Sequence, residues 1–324
     1  MIKTFKSNKF ISILLVIMCI ILMFNPTIYA KSCLNAISVW AFKVLPVMFP
    51  FFVFTRLIVN LSQSKENFMD RLFKKIYNTP VGSFSTFFLS VLSGYPMGAK
   101  LICTKYENKQ ISQNEAKKML SFCSISGPMF IIGTVGVGML FSFKSGVIIL
   151  IANILASLVN GLIYRGKRED FEVKNIYQSQ IKSNLLADCV YDSLISILMV
   201  GCYIALSFII IDILKNLGVI NILSNAICNI FKIPHLKNVV ESVIYGFFEI
   251  TRGALNLSAC PISLSAKTII SSGLIGFGGI SIMLQSLGFL NKLDISPKSM
   301  FLQKTTQAIL CLIITATLCL FFLT

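Results

Sequence analysis

"VLSGYPMGAKL", Val91 to Leu101, interrupts an apolar run with two glycines, a proline, a tyrosine and a lysine. The apolar part, Val81 to Ser93, is too short for the roughly 30 Å of hydrocarbon that about 20 helical residues cross. Basic segments flank it on both sides. A helical hairpin that enters the membrane and turns back accounts for all of this. Glycine and proline break the hydrogen-bond ladder, and backbone groups freed in hydrocarbon are costly unless protein, water or a ligand satisfies them.

The rest of the chain is equally apolar. Of 324 residues 55% are hydrophobic and 13% charged, and the mean hydropathy of +0.80 exceeds that of ordinary soluble domains. We therefore expect an all-α polytopic protein of the cell membrane, with the lipid bilayer as partner and no domain to house nucleic acid. The run Phe10–Phe24, after Lys3, Lys6 and Lys9, reads as a retained first helix rather than a signal peptide cleaved after Ala30. Most of the ten cysteines fall in or beside apolar runs without metal-type spacing and read as small core residues.

Position matters more than the net charge of +16. With a cytoplasmic N-terminus, segments 1–9, 63–79, 100–118, 165–183 and 291–304 lie inside and hold twenty basic residues. The outer segments 26–35, 141–146 and 215–237 hold five. That asymmetry predicts helices at about 10–25 and 36–62, the hairpin, a crossing at 113–140 broken at "SISGPMF" (Ser124–Phe130), and a return at 146–164. The second half repeats the order: a helix at 184–214, a short polar stretch "VVESVIYGFFEITRGALNL" (Val239–Leu257), a crossing at 263–290 broken at "SSGLIGFGGIS", and a last helix at 302–323.

The expected architecture is thus an N-terminal transmembrane helix (1–30), a first repeat (31–165), a basic cytoplasmic loop (166–183) and a second, inverted repeat (184–324). Each repeat reads helix, re-entrant hairpin, broken helix, helix. Inverted repeats whose broken segments meet near the midplane are a common plan of secondary transporters.

Breaks at corresponding places suggest a polar cavity lined by half-helix ends. The substrate-binding candidates are Gly94, Tyr95, Pro96, Gly98 and Lys100, then Ser124, Ser126, Gly127 and Pro128. In the second half they are Glu249, Thr251, Arg252 and Gly253, with Gly278, Gly279, Ser281 and Gln285; Gly276 belongs to the same run. The Lys100 ammonium either points into the cavity or snorkels to the cytoplasmic surface. Glu249 and Arg252, three apart, share a face if helical and can pair. Such a pair is either an internal salt bridge or a switch for which a substrate or ion competes. Asp188, Asp192 and Asp212 read as interfacial or helix–helix contacts. With His235 as its only histidine and no G-x-S-x-G or phosphate-cradling loop, the chain offers no basis for an enzyme, a metal site or a cofactor.

Taken in order, "KVLPVMFPFFVFTRLI", "SGYPMGAK", "NEAKKMLSFCSISGPMFIIGTVG", "YGFFEITRGALNLS" and "GFGGISIMLQSL" resemble the YlbJ family of sporulation integral membrane proteins over nearly the whole chain. That family falls in the wider group with nucleoside-recognition Gate domains. The resemblance carries over Gly94, Tyr95, Pro96, Gly98, Ala99, Lys100, Ser126, Gly127, Pro128, Glu249, Gly253, Gly278, Gly279 and Ser281 as motif positions. The resemblance implies asparagines ahead of "SGP" in many members, where this chain has Cys123 and Ser124. It implies a multi-pass protein of a mother-cell-derived membrane, needed for spore cortex formation and moving a small polar solute, nucleoside-like, amino acid or ion. The alternative is a non-transporting scaffold for cortex assembly. A coupling ion, a second copy of the chain and sporulation membrane partners complete the expected partners.

Overall fold

The structure, a computed structural model, describes residues 2–61, 68–167, 184–290 and 293–323, with the side chains of 2–11, 14 and 59 outside that description. Every regular element among these residues is helical. Five stretches are long and apolar enough to cross a membrane: Pro26–Ile58, Phe143–Ile163, Leu185–Asn216, Leu264–Leu290 and Pro297–Phe322. The chain is an all-α, multi-pass membrane protein.

Helix α1 (Ile2–Phe24) precedes α2 (Pro26–Val39), which passes through a π-helical turn at Trp40–Val44 into α3 (Leu45–Leu61). Short α4 (Phe68–Tyr77) leads to the pair α5 (Ser83–Ser93) and α6 (Met97–Glu107), then to α7 (Gln113–Cys123), a π-helical segment Met129–Val137, and α8 (Phe143–Ile163). The order then recurs. Long α9 (Leu185–Asn216) and short α10 (Val219–Phe231) lead to the pair α11 (Lys237–Phe248) and α12 (Ile250–Ser258), then to α13 (Leu264–Phe277) with α14 (Gly279–Leu290), and α15 (Pro297–Phe322).

Local chemistry explains the boundaries. Proline at the first position of α2 gives up a backbone N–H that would have had no partner. A capping box starts α7: the Ser112 hydroxyl accepts from the Glu115 amide at 3.1 Å and the Glu115 carboxylate from the Ser112 amide at 2.8 Å. Buried Asp70 docks α4 on the first turn of α5, accepting from the Ser85 amide at 3.3 Å, where a carboxylate complements the helix dipole. Phe73, Tyr77, Phe87 and Phe122 then pack as one aromatic cluster. The largest apolar core draws on both halves, with Met48, Phe52, Val135, Ile197, Ile204 and Ile250 among its members. The one tryptophan, Trp40, lies against Gly201 of α9 and donates its indole N–H to the Ile197 carbonyl at 3.1 Å.

Two sequence expectations change. Segment 26–35, expected outside the membrane, is helical, so the helix expected over 36–62 begins at Pro26, and Ala30 lies within α2. The last helix begins at Pro297 rather than 302, which places Lys304 two turns inside it instead of on a cytoplasmic loop. The expected basic loop lies outside the described residues from 168 onward, as do the side chains of Lys3, Lys6 and Lys9 that favour a cytoplasmic N-terminus.

Candidate functional site

The helices of both short pairs are half-span pieces. At 1.5 Å per residue, the 11 residues of α5 and of α6 each rise about 16 Å, against about 30 Å of hydrocarbon. Their junction is Gly94–Tyr95–Pro96, with Gly94 at φ +69° and a cis peptide before Pro96. The α11–α12 junction is Glu249, whose extended backbone (φ −148°, ψ 120°) separates the two helices. Residues 124–128 part α7 from the π-helical segment, and Gly278–Gly279, both left-handed, part α13 from α14.

These four breaks touch one another. A β-carbon on Gly94 would fall 2.4 Å from the Gly127 nitrogen, and one on Gly98 would fall 2.1 Å from the Cys123 carbonyl oxygen. In the second half, one on Gly253 would fall 2.3 Å from the Gly246 α-carbon, and one on Gly279 would fall 3.2 Å from the Phe248 carbonyl oxygen. The halves meet at Gly278, whose β-position lies 3.5 Å from the Tyr95 hydroxyl. At Gly94, Gly98 and Gly253, where backbone would lie under 3 Å from a β-carbon, only glycine permits the contact.

A cavity of about 40 Å³ opens between the breaks, room for a few waters. Tyr95, Ser126, Gly127, Glu249, Thr251 and Gln285 line it, drawn from both halves, among apolar walls that include Met48 and Ile282. Of the remaining candidates, Gly94, Pro96, Gly98, Ser124, Pro128, Gly253, Gly278, Gly279 and Ser281 do not line it. The glycines supply the close approaches, Ser124 O accepts from the Tyr95 hydroxyl at 3.1 Å, and the Ser281 hydroxyl accepts from the Gln285 amide at 3.4 Å. Half-buried Lys100 also stays off the cavity and lies within electrostatic reach of Arg56 and Asp192.

The expected Glu249–Arg252 side-chain pair is not formed. Glu249 precedes the helix as its N-cap. Its carboxylate accepts from the Arg252 amide at 2.8 Å and from the Thr251 hydroxyl at 2.9 Å. The Arg252 guanidinium instead pairs with Asp212 of α9 and donates to the Phe208 carbonyl at 2.9 Å. It lies over the Phe208 ring, 4.9 Å from the centroid. Near the other end of α9, buried Arg56 donates to Asp192 at 2.9 Å and to the Ser196 hydroxyl at 2.6 Å.

Lys304 is the residue that charge counting missed. It is 2% exposed and its ammonium reaches the Tyr95 hydroxyl, Ser124 O at 2.7 Å and Gln307 Oε1 at 2.7 Å. Around it, side chains of α15 and α8 donate to carbonyls of α7. Gln303 donates to Lys117 O at 3.1 Å, while Asn160 of α8 donates to Ser121 O at 2.7 Å. The visible signal was a polar stripe at helical spacing, Gln303, Lys304, Gln307, Cys311 and Thr315, all buried.

No family model matches the chain, and no solved structure does. Among curated proteins it is similar to the sporulation integral membrane protein YlbJ of Bacillus subtilis (strain 168), with 26% identity over 313 residues covering 88% of this chain and 76% of the relative. The chain is a distant homologue of that sporulation membrane protein.

Proposed function

We propose that the chain is a transporter-like protein of a sporulation membrane, required for spore cortex formation, that moves a small polar solute across the bilayer by alternating access of two inverted halves. The observation that carries this reading is the convergence of helix breaks from both halves: three of them, at Tyr95, Ser126–Gly127 and Glu249, line one cavity that holds the buried carboxylate of Glu249, and the fourth, at Gly278–Gly279, packs against the first and third. Half-helix ends pointed at a shared polar cavity are how broken-helix transporters hold solutes and ions. Buried ionisable groups inside a membrane favour function over stability. The solute class is nucleoside-like, amino acid or ion. At about 40 Å³ the cavity admits an ion or a few waters as it stands, and a nucleoside or amino acid enters only after the halves part.

The test is uptake by the purified chain in liposomes, screened over nucleosides, amino acids and inorganic ions under imposed gradients. The expected result is saturable movement of one class that Glu249→Gln abolishes. Failure to move any of them removes the reading. If Glu249→Gln, Arg252→Gln and Lys100→Ala leave sporulation intact while substitutions in the basic segment 165–183 abolish it, the chain is a membrane scaffold for cortex assembly.

A further inference from the structure

A lysine ammonium has three donors, and that of Lys304 meets three acceptors: the Tyr95 hydroxyl, the Ser124 carbonyl and the Gln307 side-chain oxygen. All three are neutral. Among the described residues no carboxylate pairs with this lysine. A buried charge without a counter-ion is costly, so its surroundings must replace water with fixed dipoles. The surroundings do that. Ser124 caps the C-terminus of α7, where the unpaired carbonyls concentrate partial negative charge. The Gln307 amide donates to Asn153 Oδ1 at 3.3 Å, which leaves its oxygen facing the ammonium.

Neutral oxygens gathered around an unwound carbonyl at a broken helix are what dissociable monovalent cations bind in proteins of this plan. We propose that the Lys304 ammonium occupies a monovalent-cation site built into the helix breaks, so that the protein carries a tethered cation where a sodium or potassium ion would otherwise sit. The tether crosses the halves: Lys304 belongs to α15, whereas Tyr95 and Ser124 belong to the first pair of breaks. Movement of α15 away from the first half would therefore draw the cation, with Gln307 of the same helix, off the Tyr95 and Ser124 oxygens. This deepens the transport reading, on which its consequence for ion coupling rests, but the site is testable by stability alone.

The experiment compares thermal melts of the detergent-purified full chain in sodium, potassium or N-methylglucamine chloride at equal ionic strength. The wild type should melt at the same temperature in all three. Lys304→Ala, with the ammonium gone, should melt lower in N-methylglucamine and recover by several degrees, saturably, in sodium or potassium, because a ligand that binds only the folded state raises its stability. Lys304→Met, which keeps the apolar stem, serves as the second variant. The proposal is overturned if the wild type itself requires an alkali ion, or if both variants melt alike in every salt. Failure of both to fold in every salt also overturns it, because an alkali ion in a genuine site would restore the fold. A liposome screen without transport leaves these melts unaffected, so the two readings fail separately.

Discussion

Asp212 follows Asp192 by twenty residues on α9, and each holds an arginine from a different element, Arg252 of α12 and Arg56 of α3. At 1.5 Å per residue the two carboxylates stand about 30 Å apart along the axis, close to the thickness of the hydrocarbon core. The two pairs are thus separated along α9 by about the depth of a hydrocarbon core. They differ in the burial of the carboxylate: the side chains of Arg252 and Asp212 are 14% and 20% exposed, whereas Arg56 is 7% exposed and its partner Asp192 57%.

That difference predicts unequal costs. Arg252→Met strands Asp212 and frees the Phe208 carbonyl, and is expected to destabilise by about 1–3 kcal/mol. Asp192→Asn keeps an exposed acceptor for the buried Arg56, which also retains the Ser196 hydroxyl, and should cost less, about 1 kcal/mol. Thermal melts of the two purified variants check the order, and equal losses would refute it.

Glycine substitutions separate close approach from mere flexibility. A β-carbon on Gly98 collides with the Cys123 carbonyl, and one on Gly253 with Gly246, in backbone that has little freedom to yield. Alanine at either is expected to cost about 2–4 kcal/mol, as strained overpacking does. Gly288 lies within α14 with nothing within 4 Å, so Gly288→Ala should be neutral or stabilise by up to about 1 kcal/mol. Size-exclusion profiles and melts of the three variants decide this.

Glu249 combines a cap with a cavity wall. Glu249→Gln keeps an oxygen for the Arg252 amide, so its melt should lie within about 1 kcal/mol of wild type; Glu249→Ala loses the cap and a further 1 kcal/mol or so. In liposomes both should lose solute movement. A Gln variant that transports normally would remove the carboxylate from the mechanism.

The proposed inverted arrangement makes a topological prediction. The turn after α6 and the turn after α12 should open to opposite sides of the membrane. In a background lacking the native cysteines, Lys109→Cys and Ala259→Cys, both at exposed turn positions, should react with an impermeant maleimide from opposite faces of oriented vesicles. Labelling from one face would contradict inverted repeats.

Glycine, proline and hydropathy made the breaks legible, because each of these residues has a direct backbone consequence wherever it occurs in a lipid-embedded helix. Gly94, Gly127 and Gly278 accordingly stand at interruptions in the sequence and at breaks in the structure. The side-chain pairings were not legible. Spacing of three placed Arg252 beside Glu249 only on the premise that both were helical, and Glu249 is the extended residue before the helix. Lys304 was hidden because a charge near the end of an apolar run counts as a loop charge, whereas the start of α15 at Pro297 takes it well inside. The Asp212 partner lies forty residues away in sequence from Arg252, and no local pattern announces such a contact.

The seat of Trp40 has an optical consequence. With a single indole in the chain, clasped by the Ile197 carbonyl and pressed on Gly201, the intrinsic emission of the whole protein reports one helix contact, that of α2 and its π-turn with α9. Any rearrangement that slides these helices apart exposes that ring or frees its N–H, and shifts or quenches the emission without an attached dye. The unmodified chain therefore carries its own spectroscopic gauge of whether its long helices move.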